Sequence, residues 1–343
     1  MKPRSDIVTL AEQFRIMASI GRDLRTFCEP LGIDLDAIAA PLQVDTGSFE
    51  NFETYMSFDK LCRLLEALAS LSEDDAFGLK YGQFVKGGVT GPFGFALSRA
   101  PNFKDMLYFY VKYVHIIGDL DVFNATIEKD HVTIEWTYSP LLTQREQFVD
   151  FSAAAVMRVF GFHAGAPVQL LHAQLERRPP RDKSLYTKIF SKNIQFEADI
   201  NKVVLPAGDL DGVNPSADEV MFDYMAKKCE AIAHRMKRKK DIITTLKEDF
   251  IQHMESNDRA IADVARRHGM SERTLQRRLA ENGVGFWEIY ENTRDELSMC
   301  LLTESDLPLS DVSRRLGYSS QSAYTRAVKR WHGKSPGELR KQR

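Results

Sequence analysis

Two stretches of this chain repeat one pattern: I-A-D-V-A-R-R-H-G-M-S-E-R-T-L-Q-R-R-L, Ile261 to Leu279, and L-S-D-V-S-R-R-L-G-Y-S-S-Q-S-A-Y-T-R-A-V, Leu309 to Val328. Asp263 matches Asp311, Val264 matches Val312, Arg266-Arg267 matches Arg314-Arg315 and Gly269 matches Gly317. Past the glycine the second copy carries one extra residue, so Leu275 matches Tyr324 and Arg277 matches Arg326. Each copy predicts a helix, a glycine turn and a second helix. Ile261, Val264 and Ala265, and then Leu309, Val312 and Leu316, recur at helical spacing on one face. Gly269 and Gly317 suit the left-handed residue that ends a helix. Ser271 and Ser319 follow as N-caps of the second helices.

In those second helices Leu275 and Leu279, or Tyr324 and Val328, point inward. Arg273, Gln276 and Arg277, and Gln321, Ser322, Thr325 and Arg326, are left outward. Arginine pairs with guanine and glutamine with adenine along major-groove base edges. The arrangement is that of a helix-turn-helix, occurring twice. The candidate DNA-contacting set is Ser271, Arg273, Thr274, Gln276 and Arg277 with Ser319, Gln321, Ser322, Thr325, Arg326, Lys329 and Arg330. Phe286–Thr303 between the copies predicts a spacer helix of roughly 27 Å. It would hold the two reading helices about one DNA turn, about 34 Å, apart.

The charge distribution agrees, although the net charge of −2 does not. Residues 321–343 hold seven Lys/Arg against Glu338, and residues 271–280 hold three Arg against Glu272. Such local patches are the footprint of phosphate contacts. The basic run Arg235-Met236-Lys237-Arg238-Lys239-Lys240 reads either as a solvated linker face or as further phosphate contact.

The chain of 343 residues predicts two domains. Residues 1–213 read as an α+β domain, 214–240 as a linker helix and 241–343 as an all-α domain whose two helix-turn-helix units (261–280 and 309–331) are joined by a long helix. In the first part, helices are expected over 6–29, 34–40, Phe58–Leu71, Ala76–Phe84, Lys104–Val114 and Gln144–Phe162. Gly87–Phe95 reads as a glycine-rich connection. Residues 121–127 and 131–138 alternate as paired strands around Glu128-Lys129-Asp130. Val168–Leu175 and Asn201–Leu205 read as further strands.

Residues Ala260–Pro336 resemble the AraC/XylS transcription regulators, which carry two helix-turn-helix units in one chain. The run G-Y-S-S-Q-S-A-Y-T-R-A-V-K-R-W-H-G-K-S-P, Gly317–Pro336, is close to that family's signature. Val328 departs from its usual aromatic and Ser313 from its usual alanine, which implies a slightly looser second unit. The N-terminal part is similar to the ligand-binding and dimerisation domain of one branch of that family. The similarity rests on L-C-R-L-L-E-A-L-A-S, D-D-A-F-G-L-K-Y-G, G-P-F-G-F-A-L, L-Y-T-K-I-F and I-Q-F-E-A-D-I-N-K-V-V-L-P. The resemblance implies promoter DNA, a small organic effector, RNA polymerase and a second copy of the chain as partners, and activation as the mode. A ligand-independent regulator, a repressor and an enzyme–regulator fusion stay open as alternatives.

No catalytic, metal or cofactor site is expected. Gly333-Lys334-Ser335 lacks the earlier glycine of a phosphate-binding loop, since residue 328 is valine. Neither H-E-x-x-H nor G-x-S-x-G occurs. Cys28, Cys62, Cys229 and Cys300 stand far apart, which fits a reducing compartment. No run of about 18 apolar residues predicts a membrane span, and the resemblance implies the bacterial cytoplasm, on the nucleoid, as the setting. Aromatic residues mark the candidate effector pocket: Phe93, Phe95, Tyr110, Tyr113, His115, Trp136 and Tyr138.

Overall fold

The computed structural model describes residues 11, 14–85, 88–119, 122–139, 141–164, 168, 170–209, 214–239, 242–256 and 259–341. Contacts divide the chain into two compact units. One comprises Phe14–Tyr138 with Gln144–Met236, and the other is centred on Lys237–Arg343.

The first unit is α+β. Its helices are α1 (Leu24–Cys28), α2 (Leu35–Ala39), α3 (Phe58–Leu71), α4 (Phe77–Phe84), α5 (Pro92–Arg99), α6 (Phe103–Tyr113), α7 (Glu146–Ala164), α8 (Ser184–Ile189) and α9 (Glu219–Lys239). The strands are β1 (Arg15–Met17), β2 (Tyr55–Ser57), β3 (Val122–Ile127), β4 (His131–Thr137), β5 (His172–Gln174), β6 (Ile194–Gln195) and β7 (Asn201–Pro206). β1 and β2 pair by themselves, and the others form a sheet in the order β3-β4-β7-β5-β6. All neighbours are antiparallel except β5 and β6. β4 shows why the alternating pattern works: Val132, Ile134 and Trp136 are buried, while the residues between them are partly exposed.

α3 begins where Ser57 Oγ accepts the Lys60 N–H, and it buries Leu61, Leu64, Leu65 and Leu68 as their spacing requires. α4 and α7 approach so closely that side chains are excluded between them. A Cβ on Gly78 would lie 1.9 Å from the Gln147 carbonyl oxygen, and one on Gly82 2.4 Å from that of Phe151.

Several expectations change. The helix expected over 6–29 is replaced, in its described part, by β1, a 3-10 turn at Ala18–Gly21 and α1. Pairing of Arg15–Met17 with Tyr55–Ser57 satisfies the backbone there and overrides the helical spacing. The connection at 87–95 contains the start of α5. Gly91 turns the chain at φ +56° and Pro92 occupies the first helical turn, where its missing N–H costs nothing. Lys86 and Gly87 lie outside the described residues. The strand expected over 168–175 shortens to β5, and Ile194–Gln195 joins the sheet as β6.

The second unit is helical: α10 (Ile242–His253), α11 (Ile261–Arg267), α12 (Glu272–Glu281), α13 (Phe286–Glu304), α14 (Leu309–Arg315), α15 (Gln321–His332) and α16 (Pro336–Arg340). α13 packs against α10 at one end and against α14, α15 and α16 towards the other. Its buried residues Phe286, Ile289, Tyr290, Thr293 and Leu297 carry the expected spacing. No helix among the described residues is long and apolar enough to cross a membrane.

Candidate nucleic-acid interface and effector cavity

The two repeats close their first helices in the same way. Gly269 (φ +65°) donates its N–H to Arg266 O at 3.0 Å, and Met270 N–H reaches Ala265 O at 2.9 Å. In the second copy Gly317 (φ +68°) donates to Arg314 O at 2.9 Å and Tyr318 to Ser313 O at 3.0 Å. A side chain in this left-handed conformation would be strained, so glycine fixes the turn twice.

The second helices are capped alike. Ser271 Oγ accepts the Thr274 N–H at 3.2 Å, and Ser320 Oγ accepts the Ala323 N–H at 3.2 Å. The cap of α15 is therefore Ser320 and not Ser319. The extra residue after Gly317 is absorbed before the helix begins, and Ser319 is left exposed outside it. Counted from the caps, Ser322 takes the place of Arg273, Thr325 that of Gln276 and Arg326 that of Arg277.

Leu275 and Leu279 are buried beneath α12, and Tyr324 and Val328 beneath α15. Arg273, Gln276 and Arg277 stand exposed, as do Gln321, Ser322, Arg326, Lys329 and Arg330, while Thr274 and Thr325 are half-buried. Thr274 Oγ1 lies 2.9 Å from Ser271 Oγ, so it reinforces the cap. Arg277 Nε lies 3.7 Å from Glu281, and Arg330 Nη2 3.0 Å from Glu291. Ion pairs this exposed contribute little, so both guanidiniums can exchange a carboxylate for a phosphate or a base at small cost.

The matched arginine pairs divide their work. Arg266 pairs with Asp263, and Arg314 with Glu255, in exposed positions. Arg267 instead turns inward onto the buried Asp249 of α10. The second unit has a different anchor, one that the sequence pattern does not signal. Arg294 of α13 is 5% exposed, donates from Nε to Leu316 O at 2.9 Å and lies 3.5 Å from the centre of the Tyr318 ring. Tyr324 Oη meets Ser298 Oγ at 2.9 Å. The first copy is thus anchored through α11 and the second through its turn and α15, and both reading helices leave their polar face outward.

The first unit encloses a cavity of about 400 Å³ between α4, α5, α6, α7 and the sheet. Phe93, Phe95, Tyr110, Trp136 and Tyr138 line it. Tyr113 and His115 do not. Tyr113 packs against Phe109 with tilted rings 4.8 Å apart, and His115 is exposed. α6 turns Tyr110 onto Phe123 of β3 at 4.7 Å, so only that face of the helix reaches the cavity. Ser152 and Arg158 of α7 also line it. The Tyr138 hydroxyl donates to Ser152 Oγ at 2.6 Å, and burial pushes the pKa of that phenol up. Trp136 is 3% exposed, and its Nε1–H lies near the Tyr138 hydroxyl without a properly formed hydrogen bond.

Comparison with known proteins matches both domains. Residues 32–212 match the arabinose-binding domain of AraC transcription regulators, and residues 264–342 match a helix-turn-helix domain. The ornithine utilization regulator of Pseudomonas aeruginosa is 22% identical over 288 residues, 84% of each chain. The transcriptional regulator VirS of Mycobacterium tuberculosis is 24% identical over 320 residues, 90% of this chain and 92% of its own. The crystal structure of the regulator CdpR from Pseudomonas aeruginosa is 23% identical, covers 80% of this chain and 91% of its own, and superposes with a TM-score of only 0.38. The first of these domain matches spans more than half of the chain, and the capped helix pairs supply the second. This chain belongs to the AraC family of transcription regulators and is a DNA-binding regulator with an arabinose-binding-type N-terminal domain.

Proposed function

We propose that this regulator is an effector-responsive activator that binds as a homodimer. Each protomer reads two successive major-groove segments, one with α12 and one with α15. The observation that carries this reading is the pair of capped, outward-facing helices closed by the same glycine turn and joined by α13. Within them, Arg273, Gln276 and Arg277 and then Ser322, Thr325 and Arg326 face the bases. Lys329 and Arg330 face the phosphates, where charge neutralisation dominates affinity.

The effector is a small organic molecule held in the cavity of the first unit. Its binding favours one arrangement of the dimer over another, and so changes affinity for the promoter or contact with RNA polymerase. The residue ranges 1–213, 214–240 and 241–343 divide effector binding and dimerisation, linkage, and DNA binding.

Footprinting on the regulator's own promoter region tests the reading. Two protected segments per protomer, about one helical turn apart on one face of the duplex, are expected. A single short protected segment would overturn it.

A further inference from the structure

The chemistry of the cavity wall narrows the effector. The wall is built mostly of aromatic and aliphatic side chains, among them Phe93, Tyr110, Phe123, Phe151 and Val159. Three of its hydroxyls, those of Tyr138, Ser152 and Ser98, are already engaged. Ser152 accepts from Tyr138 and donates to Val149 O at 3.0 Å, and Ser98 donates to Phe95 O at 2.8 Å. A sugar carries more hydroxyls than the remaining Tyr110 and Thr90 side chains can meet, and would bury the others without partners at about 1–3 kcal/mol each.

The charge on the wall has one sign. Neither Asp nor Glu occurs among the described lining residues, whereas Arg99 and Arg158 both do. An ammonium group would find no counter-charge. Arg99 Nη1 is tied to Ser216 O at 3.1 Å. Arg158 is exposed on α7 and has no ion-pair partner among the described residues. It stands at the rim with the half-exposed Phe95. The Trp136 indole, buried beside the Tyr138 hydroxyl, lines the inner wall.

We propose that the cavity takes a small amphipathic monocarboxylate, with its apolar chain among Phe93, Tyr110, Phe123 and Phe151 and its carboxylate against Arg158 at the rim. The Trp136 indole, which also lines the cavity, lies along the same wall. This rests on the reading of the cavity as the effector site, and it sets this chain apart from a sugar binder in spite of the name of the matched domain.

Trp136 is one of three tryptophans, so the full-length chain with Trp287→Phe and Trp331→Phe reports on the cavity alone. Decanoate, kept below its micelle concentration, should shift Trp136 emission and raise the Tm of the first unit. Decanol should bind about fivefold or more weakly, the margin expected of a charge-assisted arginine–carboxylate contact. Arg158→Gln should bring decanoate down to the level of decanol and leave decanol unchanged, while Arg158→Lys keeps part of the preference. Equal binding of decanoate and decanol, or a preference that survives Arg158→Gln, overturns the head-group assignment. Binding of L-arabinose or ornithine in place of decanoate overturns the ligand class but leaves the effector reading standing. No response to any of the four probes overturns both.

Discussion

Arg267 and Asp249 lock the first helix-turn-helix to the helix before it: Nε donates to Oδ1 at 2.9 Å and Nη2 to Oδ2 at 2.6 Å, with the carboxylate only 5% exposed. Such a fork fixes both distance and angle between α10 and α11. Removing one partner strands the other in a poorly solvated site. Asp249→Ala should therefore destabilise the DNA-binding unit by about 3 kcal/mol, seen as a lower urea midpoint for that unit. An unchanged midpoint would show that the fork is replaced by water at no cost.

Arg277 and Arg326 occupy the same place relative to their caps, and both are exposed. Alanine at either should weaken promoter binding by about 1–3 kcal/mol and relax preference at one base position. Lys329→Ala should weaken binding to all sequences alike and lower the salt slope by about one unit. Competition binding against single-base promoter variants separates the two behaviours. Equal loss on every variant for Arg277→Ala would move that residue to the phosphate class.

Ser313 stands where its counterpart Ala265 has no polar side chain. It is 2% exposed, and its Oγ has no hydrogen-bond partner among the described residues. Ser313→Ala should stabilise the second helix-turn-helix by about 1 kcal/mol, read as a raised Tm of the DNA-binding unit. A lowered Tm would reveal a partner for the hydroxyl. Val328, by contrast, is fully buried beneath α15, so the looseness expected from its small side chain does not expose it.

Asp150, wholly buried, is held by the Arg177 guanidinium and the Tyr186 hydroxyl, and Arg177 is itself only 2% exposed. Burial pushes the Asp150 pKa up to about 7 against the pull of Arg177. Arg177→Met removes that pull, so the carboxyl pKa rises further above its unfolded value of about 3.9. A folded pKa above the unfolded one gives stability at low pH that is lost as pH rises. The variant should lose about 3–5 kcal/mol at neutral pH and recover part of it near pH 5. Urea midpoints at several pH values test this, and a variant more stable at pH 8 than at pH 5 would contradict it.

The sequence was most readable where one period governed. α3 and the β3–β4 pair carry clean helical and alternating patterns, and both lie where those patterns put them. The duplicated turn was readable because only glycine suits Gly269 and Gly317. α5 was hidden because Gly91, Pro92 and Gly94 look like a breaker, although a proline in the first turn starts a helix as well as it ends one. Ser152 and Arg158 were missed at the cavity because α7 is apolar around most of its girth, so nothing in its pattern singles out one face. Composition groups Tyr113 with Tyr110, yet packing sets its ring against Phe109, one helical turn back. Asp249 and Arg294 act across helices far apart in sequence, and no local pattern announces such partners.

The glycines at 78 and 82 let the backbones of α4 and α7 touch, and Gly82 also borders the cavity. That wall is a stiff plate: two helices in main-chain contact leave no slack for α7 to retreat. On that side the cavity is backed by main chain rather than by side chains that could repack. Two missing methyl groups thus decide which of its walls has the least give.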